Sequence, residues 1–240
     1  MDENSMLLWY PKIKDLDIPQ PETIVYEIPK DVLSNLVEEN ADNLDMIEIN
    51  KIADKIGYPL FLRTDQSSGK HSWEKTCFVS KREDLKKHIF EVISDNLLAD
   101  LMGLPFEALG FRKYIPMKNL FTAFWGKMPV NPEIRFFIKD GKIQCCWHWY
   151  WIEEAIKDAS IENWKEVMQI EKHNLSKAEI MTLEFEAQKV ADVFKEDYWS
   201  VDFCKSKENI WILIDMAKGE RSWHDEKCKF VDEDGGVKHG

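Results

Sequence analysis

Two carboxylates, Asp202 and Asp215, stand in apolar runs over residues 199–204 and 210–215 that flank a polar turn at 205–209. Antiparallel pairing of such runs brings the two acids near one another across a ladder. Nearby acids repel unless a cation lies between them. Magnesium, a hard ion that takes oxygen ligands, commonly uses one or two carboxylates while phosphates and water complete its shell. Two strand-end acids facing water are the plainer alternative. Upstream, Glu133 and Arg135 alternate onto one face of a strand that Phe137 continues. A guanidinium on a sheet face needs an anion, which a phosphate or an acid of the same chain would supply.

Arg63 closes an apolar run at 59–64 and precedes Ser67, Ser68, Gly69 and Lys70. Small residues there would let backbone amides approach a phosphate that Arg63 and Lys70 could reach. The Walker pattern GxxxxGK[ST] is absent, however, and a Ser/Gly turn is usually only a turn. Arg112, Lys113, Tyr114 and Ile115 end a strand that Pro116 stops. Such an edge can present backbone donors and acceptors to a purine held between apolar side chains, or it is a solvated Arg-Lys pair that guards a sheet edge. Trp147, Trp149 and Trp151 alternate onto one face, read as core, and His148 and Tyr150 onto the other, read as a pocket wall or a structural imidazole and phenol. Cys145 and Cys146 have no identifiable basic partner and read as buried filler. No Ser-His-Asp arrangement is visible.

A chain of 240 residues can bury one large core or two small ones. With 44% hydrophobic and 32% charged residues, it has enough apolar material to fold. Lys+Arg of 32 against Asp+Glu of 44 gives a formal charge of -12, which repels a nucleic-acid backbone. A small anion such as ATP needs only a few placed cations and a metal, so it stays compatible with that balance. The five cysteines show no CxxC spacing for zinc or a redox pair and fit a reduced, cytoplasmic setting. No basic start leads into an apolar run, and no segment approaches the roughly 20 apolar residues that cross a bilayer. Neither secretion nor a membrane partner is expected.

The elements that must position these side chains follow from periodicity and punctuation. Residues 6–10 and 23–26, broken by Pro11, Pro19 and Pro21, read as strand and loop. Residues 31–40 and 44–56 read as helices, the second closed by Gly57. Strands are expected at 59–64, near 76–79 and at 110–115. Ser80 and Glu83 form a capping-box pattern before a helix whose buried stripe is Leu85, Ile89, Val92 and Ile93, and a separate short helix is expected at 97–102. A loop rich in aromatics follows. Asp140-Gly141 between the runs 133–138 and 143–151 is a hairpin signal. Residues 152–173 look irregularly helical, whereas 176–197 read as a helix opened by a second capping box, Ser176 and Glu179, with Leu183, Ala187, Val190 and Ala191 inward. Hairpins separated by helices indicate an α+β fold with largely antiparallel sheet. The expected divisions are an N-terminal α/β lobe at 1–58, a small lobe at 59–115, a large lobe at 116–224 and a charged, mobile tail at 225–240.

Taken in order, the Arg63 strand, the small-residue turn, the Arg112-Lys113-Tyr114 strand, the Glu133-x-Arg135 strand and the Asp202 to Asp215 hairpin resemble the ATP-grasp superfamily over roughly residues 58–224. Trp9-Tyr10-Pro11 followed by Pro19-Gln20-Pro21 resembles the start of the branch that contains the cell-division-cycle D123 proteins and their viral and bacterial relatives. The resemblance implies two α+β lobes with mainly antiparallel sheets gripping ATP. It makes Arg63 and Lys70 phosphate ligands, Arg112, Lys113, Tyr114 and Ile115 the adenine hinge, Arg135 the catalytic γ-phosphate contact, and Asp202 and Asp215 the magnesium ligands. Two positions differ from the common pattern: Ala217 stands where the family usually has Asn, and Arg63 where many members have Lys. The implied activity is ATP-dependent ligation, in which a carboxylate activated as an acyl phosphate is attacked by an amine. The alternative is a nucleotide-dependent assembly factor that binds a protein partner. The acceptor, small molecule or protein, is not named by the sequence.

Overall fold

The computed structural model describes residues 2–36, 43–100, 105–125, 128–149, 153–224 and 228, and of 34–36, 97–100 and 146–149 the backbone alone. The chain divides into two compact units, Met1–Pro11 with Pro21–Ile115 and Lys12–Gln20 with Pro116–Gly240. Every strand pairing among the described residues is antiparallel, as expected of an α+β fold built from hairpins.

The first unit holds a four-stranded sheet in the order β1-β4-β2-β3, with β1 at Thr23–Glu27, β2 at Leu60–Thr64, β3 at Phe78–Val79 and β4 at Ala108–Lys113. Alternation sends Leu60, Leu62, Leu109 and Phe111 to one face. There they meet Ile49, Ala53 and Ile56 of helix α3 (Met46–Ile56) and Leu85, Ile89, Val92 and Ile93 of helix α4 (Leu85–Asp100) in one buried cluster. Each such side chain, fully buried, contributes about 1.5–3 kcal/mol, and this face is the main core of the unit. Asp45 caps α3 by accepting from the amides of Ile47 and Glu48. Helix α2 spans Lys30–Leu36; the rest of the helix expected at 31–40 lies outside the described residues.

Three expectations are corrected in this unit. Residues 6–10 are not a strand but part of helix α1, Met6–Ile13. The reason lies in the spacing: Met6, Trp9 and Ile13 recur at three and four residues and are all buried. Asp65 also anchors the helix start, its backbone carbonyl accepting from Met6 N–H and its carboxylate from the Ser5 hydroxyl. The capping box at Ser80 and Glu83 does not form, because residues 82–84 make a 3-10 turn and α4 starts only at Leu85. The Ser80 hydroxyl instead faces the Asp84 carboxylate at 3.5 Å. The short helix expected from Leu97 is the end of the continuous α4, with 101–104 outside the described residues.

The second unit holds a sheet in the order β10-β9-β7-β8, from β7 (Glu133–Lys139), β8 (Lys142–Trp149), β9 (Tyr198–Lys205) and β10 (Trp211–Lys218). The β7–β8 hairpin turns on Asp140 and Gly141, at φ 52° and 76°, the left-handed pair that an Asp-Gly turn requires. One face carries Trp199, Val201, Phe203 and Lys205. It is covered by helix α6 (Lys177–Val193), whose C-terminal Phe194 packs on Trp199 at 5.2 Å between ring centroids. The Ser176–Glu179 capping box forms as expected. Lys205, buried on this face, bonds Glu179 at 2.7 Å and Glu171 of helix α5 (Trp164–His173) at 3.4 Å. Burial pushes the Glu179 carboxyl up, but the Lys205 ammonium and the Ser176 amide and hydroxyl outweigh it and hold the group at about 2. The expected aromatic loop contains a second small sheet, β5 (Phe121–Ala123) paired with β6 (Met128–Val130). It closes on a separate core with Ile156 and Met168.

Candidate functional site

On the face of the second sheet opposite α6, the residues expected to do chemistry meet in one row. Arg135 of β7 stands opposite Asp202 of β9, and Asp202 stands opposite Asp215 of β10. Residues opposite one another in an antiparallel ladder share a face about 5 Å apart, so the two acids are neighbours as the hairpin spacing predicts. A register shift in β10 between Leu213 and Asp215 sets the second acid into this row, the local effect of a bulge. The backbone of His148 in β8 continues the row beside Arg135.

The anion that Arg135 requires is Asp202. Nε donates to Oδ1 at 2.7 Å and Nη2 to Oδ2 at 2.8 Å, a fork in which both groups are about nine-tenths buried. Nη1 donates to the Trp223 carbonyl at 3.2 Å. These three bonds fix the guanidinium plane on the sheet. Asp215 is half-buried, and its Oδ1 accepts from the Met216 amide at 3.0 Å. The expected ligand pair is therefore assembled, but one member is already neutralised by the expected catalytic arginine. Ala217 lies two residues on, in register with Ser200, and offers no side-chain oxygen.

The remaining expected residues lie in the first unit. Arg63 pairs in register with Gly110 and Phe61 with Arg112, so both arginines occupy the face opposite the main core. Both are buried. Arg63 Nε donates to the Thr64 carbonyl at 2.9 Å, while Arg112 Nη2 lies 3.8 Å from the Met6 sulfur and its guanidinium 5.9 Å from the Trp9 ring centroid. Gly110 makes this possible, since a Cβ there would come within 3.2 Å of Arg63 Cγ and 3.3 Å of Met6 Sδ. Lys113 points to the other face and is exposed. Tyr114 joins Phe78 at 5.0 Å, and Phe78 stacks on Trp73 at 5.8 Å. Burial, then the neighbouring Cys77 thiol, pushes the Tyr114 phenol up. Ile115 is half-buried.

Lys70 begins a 3-10 turn, Lys70–Ser72, entered through Gly69 at φ 58°. A Cβ at Gly69 would fall 2.9 Å from the Asp95 carboxylate, and the Gly69 carbonyl accepts from the Thr76 hydroxyl at 2.7 Å. The expected mobile loop is thus closed on itself at its base. His71 beside Lys70 is pushed down by burial and then by the lysine charge. Tyr150 and Trp151 lie outside the described residues, as do the side chains of Cys146, Trp147, His148 and Trp149.

One group of chemically competent side chains escaped sequence reasoning. Cys145, His224 and Cys228 converge so that one ligand atom of each lies within 4.8 Å of the others. No short-range motif links them, because His224 is 79 residues from Cys145. The usable signal was the register of β8, which pairs Cys145 with Phe137 and therefore sets it on the Arg135 side of the sheet.

Among solved structures the chain is similar to N5-carboxyaminoimidazole synthase from Aspergillus clavatus, in complex with ADP and 5-aminoimidazole ribonucleotide. The identity is 12% over 89% of this chain and 43% of that one, with a TM-score of 0.47. It is similar to a RimK domain ATP-grasp protein from Sphaerobacter thermophilus (11% identity, 90% and 59%, TM-score 0.43) and to a biotin carboxylase from Campylobacter jejuni in a beta-gamma-ATP complex (15%, 87% and 38%, TM-score 0.48). The chain spans less than two thirds of the length of each. No curated protein sequence matches it. Among the described residues, no helix is long and apolar enough to cross a membrane. The family model that matches spans residues 53–233, from within α3 past the Arg135–Asp202–Asp215 row, and describes an ATP-grasp domain, the third family of its clade. The chain belongs to that ATP-grasp family and has its α+β fold.

Proposed function

We propose that this protein binds ATP with magnesium and uses it to activate a carboxylate as an acyl phosphate for attack by an amine. Family membership supports the nucleotide; the observation that carries the site is the row Arg135–Asp202–Asp215 across three adjacent strands. The donor set fits magnesium, because two carboxylates on one sheet face are hard oxygen ligands. Asp202 keeps acceptor capacity while it holds Arg135, since an ionised carboxylate has about four lone-pair sites and the fork takes two. Magnesium held by these two acids would neutralise charge on the phosphate oxygens.

Arg135 is the residue proposed to meet the transferred phosphoryl group. Its three bonds pre-orient the guanidinium, so little reorganisation is needed as charge develops. Arg63 and Lys70 are proposed as phosphate ligands, and residues 112–115 as the adenine-binding strand end. In the reaction the acceptor carboxylate forms a bond to the γ-phosphorus as the bond to the β–γ bridging oxygen breaks, and ADP leaves. The amine then displaces phosphate from the acyl carbon and loses a proton.

Incubation of the protein with Mg·ATP, hydroxylamine and a panel of carboxylic acids tests this reading. ATP-dependent hydroxamate formation with at least one acid is expected, and it should be lost in Arg135→Ala. ADP release without hydroxamate from any acid, amino acids included, would contradict the ligase assignment.

A second reading, a nucleotide-dependent assembly factor of the D123-like kind, is favoured by Met181 and Phe185. These lie one turn apart on α6 and are 69% and 64% exposed. It predicts ATP binding with turnover only after a protein partner is added.

A further inference from the structure

Beside the Arg135 row, on the same face of the second sheet, three soft or borderline ligands converge. Cys145 Sγ lies 2.8 Å from His224 Nε2, and Cys228 brings a third donor within 4.8 Å of both. Cys145 and His224 are buried, Cys228 half-buried. A hydrogen bond between thiol and imidazole accounts for the first pair. It does not account for the second sulfur arriving at the same point from a different part of the chain.

The surroundings hold these donors in place. The Phe137 ring meets the His224 ring edge-on at 4.1 Å between centroids, and Tyr198 stacks on Phe137 at 5.7 Å. Gly219 leaves the room that Tyr198 occupies, because a Cβ there would sit 2.1 Å from the ring. Burial, followed by the charges of Cys145, Glu220 and Cys228, pushes the Tyr198 phenol up, as expected of a group enclosed with two sulfurs.

We propose that Cys145, His224 and Cys228 bind one zinc ion. Thiolate and imidazole donors select zinc over magnesium or calcium, which want oxygen. Two thiolates and a neutral imidazole on a divalent ion sum to zero charge, which suits an apolar enclosure better than an uncompensated thiolate. A tetrahedral ion with Zn–S near 2.3 Å and Zn–N near 2.0 Å places its ligand atoms about 3.3–3.8 Å apart. The 2.8 Å contact must open slightly and the remaining separations close slightly, both within side-chain rotation. Three protein ligands leave a fourth position for water.

The ion is structural and reaches the row through the backbone. His224 follows Trp223, whose carbonyl accepts from Arg135 Nη1, so fixing His224 fixes one of the three bonds that orient that guanidinium.

The test is metal analysis of the full chain purified without a metal-affinity step, followed by zinc competition against a chromophoric chelator. About one zinc per chain is expected. Changes outside a coordination shell already cost 10–100-fold in metal affinity, so Cys145→Ser, His224→Ala and Cys228→Ser should each weaken zinc binding by more than about 100-fold. Cobalt(II) added to the metal-free protein should give thiolate-to-metal charge-transfer absorption and the visible bands of a tetrahedral site. Cys228→Ser, at a half-buried position, keeps the test open should the buried variants not fold. A folded Cys228→Ser protein that retains full zinc affinity would overturn the proposal. So would wild-type protein that takes up no zinc, or one whose intact mass shows the loss of two hydrogens from a Cys145–Cys228 disulfide. Zinc stoichiometry does not depend on nucleotide, so failure here and failure of the ATP reading are separate results.

Discussion

Replacing Asp202 by Ala removes the carboxylate that holds Arg135 through two bonds of 2.7 and 2.8 Å. Hydrogen bonds to charged groups are worth about 1.5–3 kcal/mol each, and breaking a buried pair strands the remaining charge at a cost of about 3–5 kcal/mol. The stranded group is the Arg135 guanidinium, with its side chain 10% exposed. For a chain of this size each kcal/mol moves the melting temperature by roughly 2–4 °C, so Asp202→Ala should lower it by about 6–20 °C in calorimetry. Most of that loss is the uncompensated charge, not the intrinsic worth of the pair. The double variant Arg135→Met/Asp202→Leu, which removes both charges and keeps volume, should therefore recover to within about 1–2 kcal/mol of wild type. A loss below about 1 kcal/mol in Asp202→Ala, or a double variant no more stable than the worse single one, would refute the reasoning.

Three other outcomes follow from local geometry. Glu179 sits at about 2, against 4.5 for a free carboxyl, so its contribution to stability is fully present above the unfolded value and is lost as pH falls toward the folded one. Discounted for its quarter exposure, the difference between wild type and Glu179→Gln should shrink by about 1–2 kcal/mol between about pH 5 and pH 2 in acid denaturation. Gly141→Ala should cost about 1 kcal/mol by urea unfolding and Gly141→Asn less, because φ is 76° and Asn tolerates the left-handed region. Gly219→Ala should cost at least about 2–3 kcal/mol, since its methyl would fall 2.1 Å from the buried Tyr198 ring. A change under 1 kcal/mol there would mean that the ring moves freely.

The sequence made the second sheet legible because its signals are local. Asp140-Gly141 marks a turn, Ser176 and Glu179 cap a helix, and two apolar runs around residues 205–209 can pair in only a few registers, one of which sets Asp202 beside Asp215. What the sequence hid depends on distant partners. Ser80 and Glu83 carry the residues of a capping box, but a 3-10 turn intervenes, and the pattern alone does not say where the helix begins. Residues 6–10 read as extended because Pro11 was weighed above the spacing of Met6, Trp9 and Ile13. The partner of Arg135 was open between a phosphate and an intrachain acid. Only the pairing of β7 with β9, across 67 residues, identifies Asp202. The Cys145–His224–Cys228 cluster, with no short motif, was invisible for the same reason.

Calorimetric titration of Mg·ATP into the folded protein, with Asp215→Asn alongside, tests the central claim most directly. Asp215 is half-buried and outside the Arg135 fork, so its amide should leave the sheet intact and weaken magnesium-dependent binding by at least about tenfold, or 1.4 kcal/mol. Tight wild-type binding that requires magnesium and is weakened in Asp215→Asn is the expected result. Folded wild-type protein that binds no Mg·ATP, or an Asp215→Asn variant that binds it as tightly as wild type, would contradict the account.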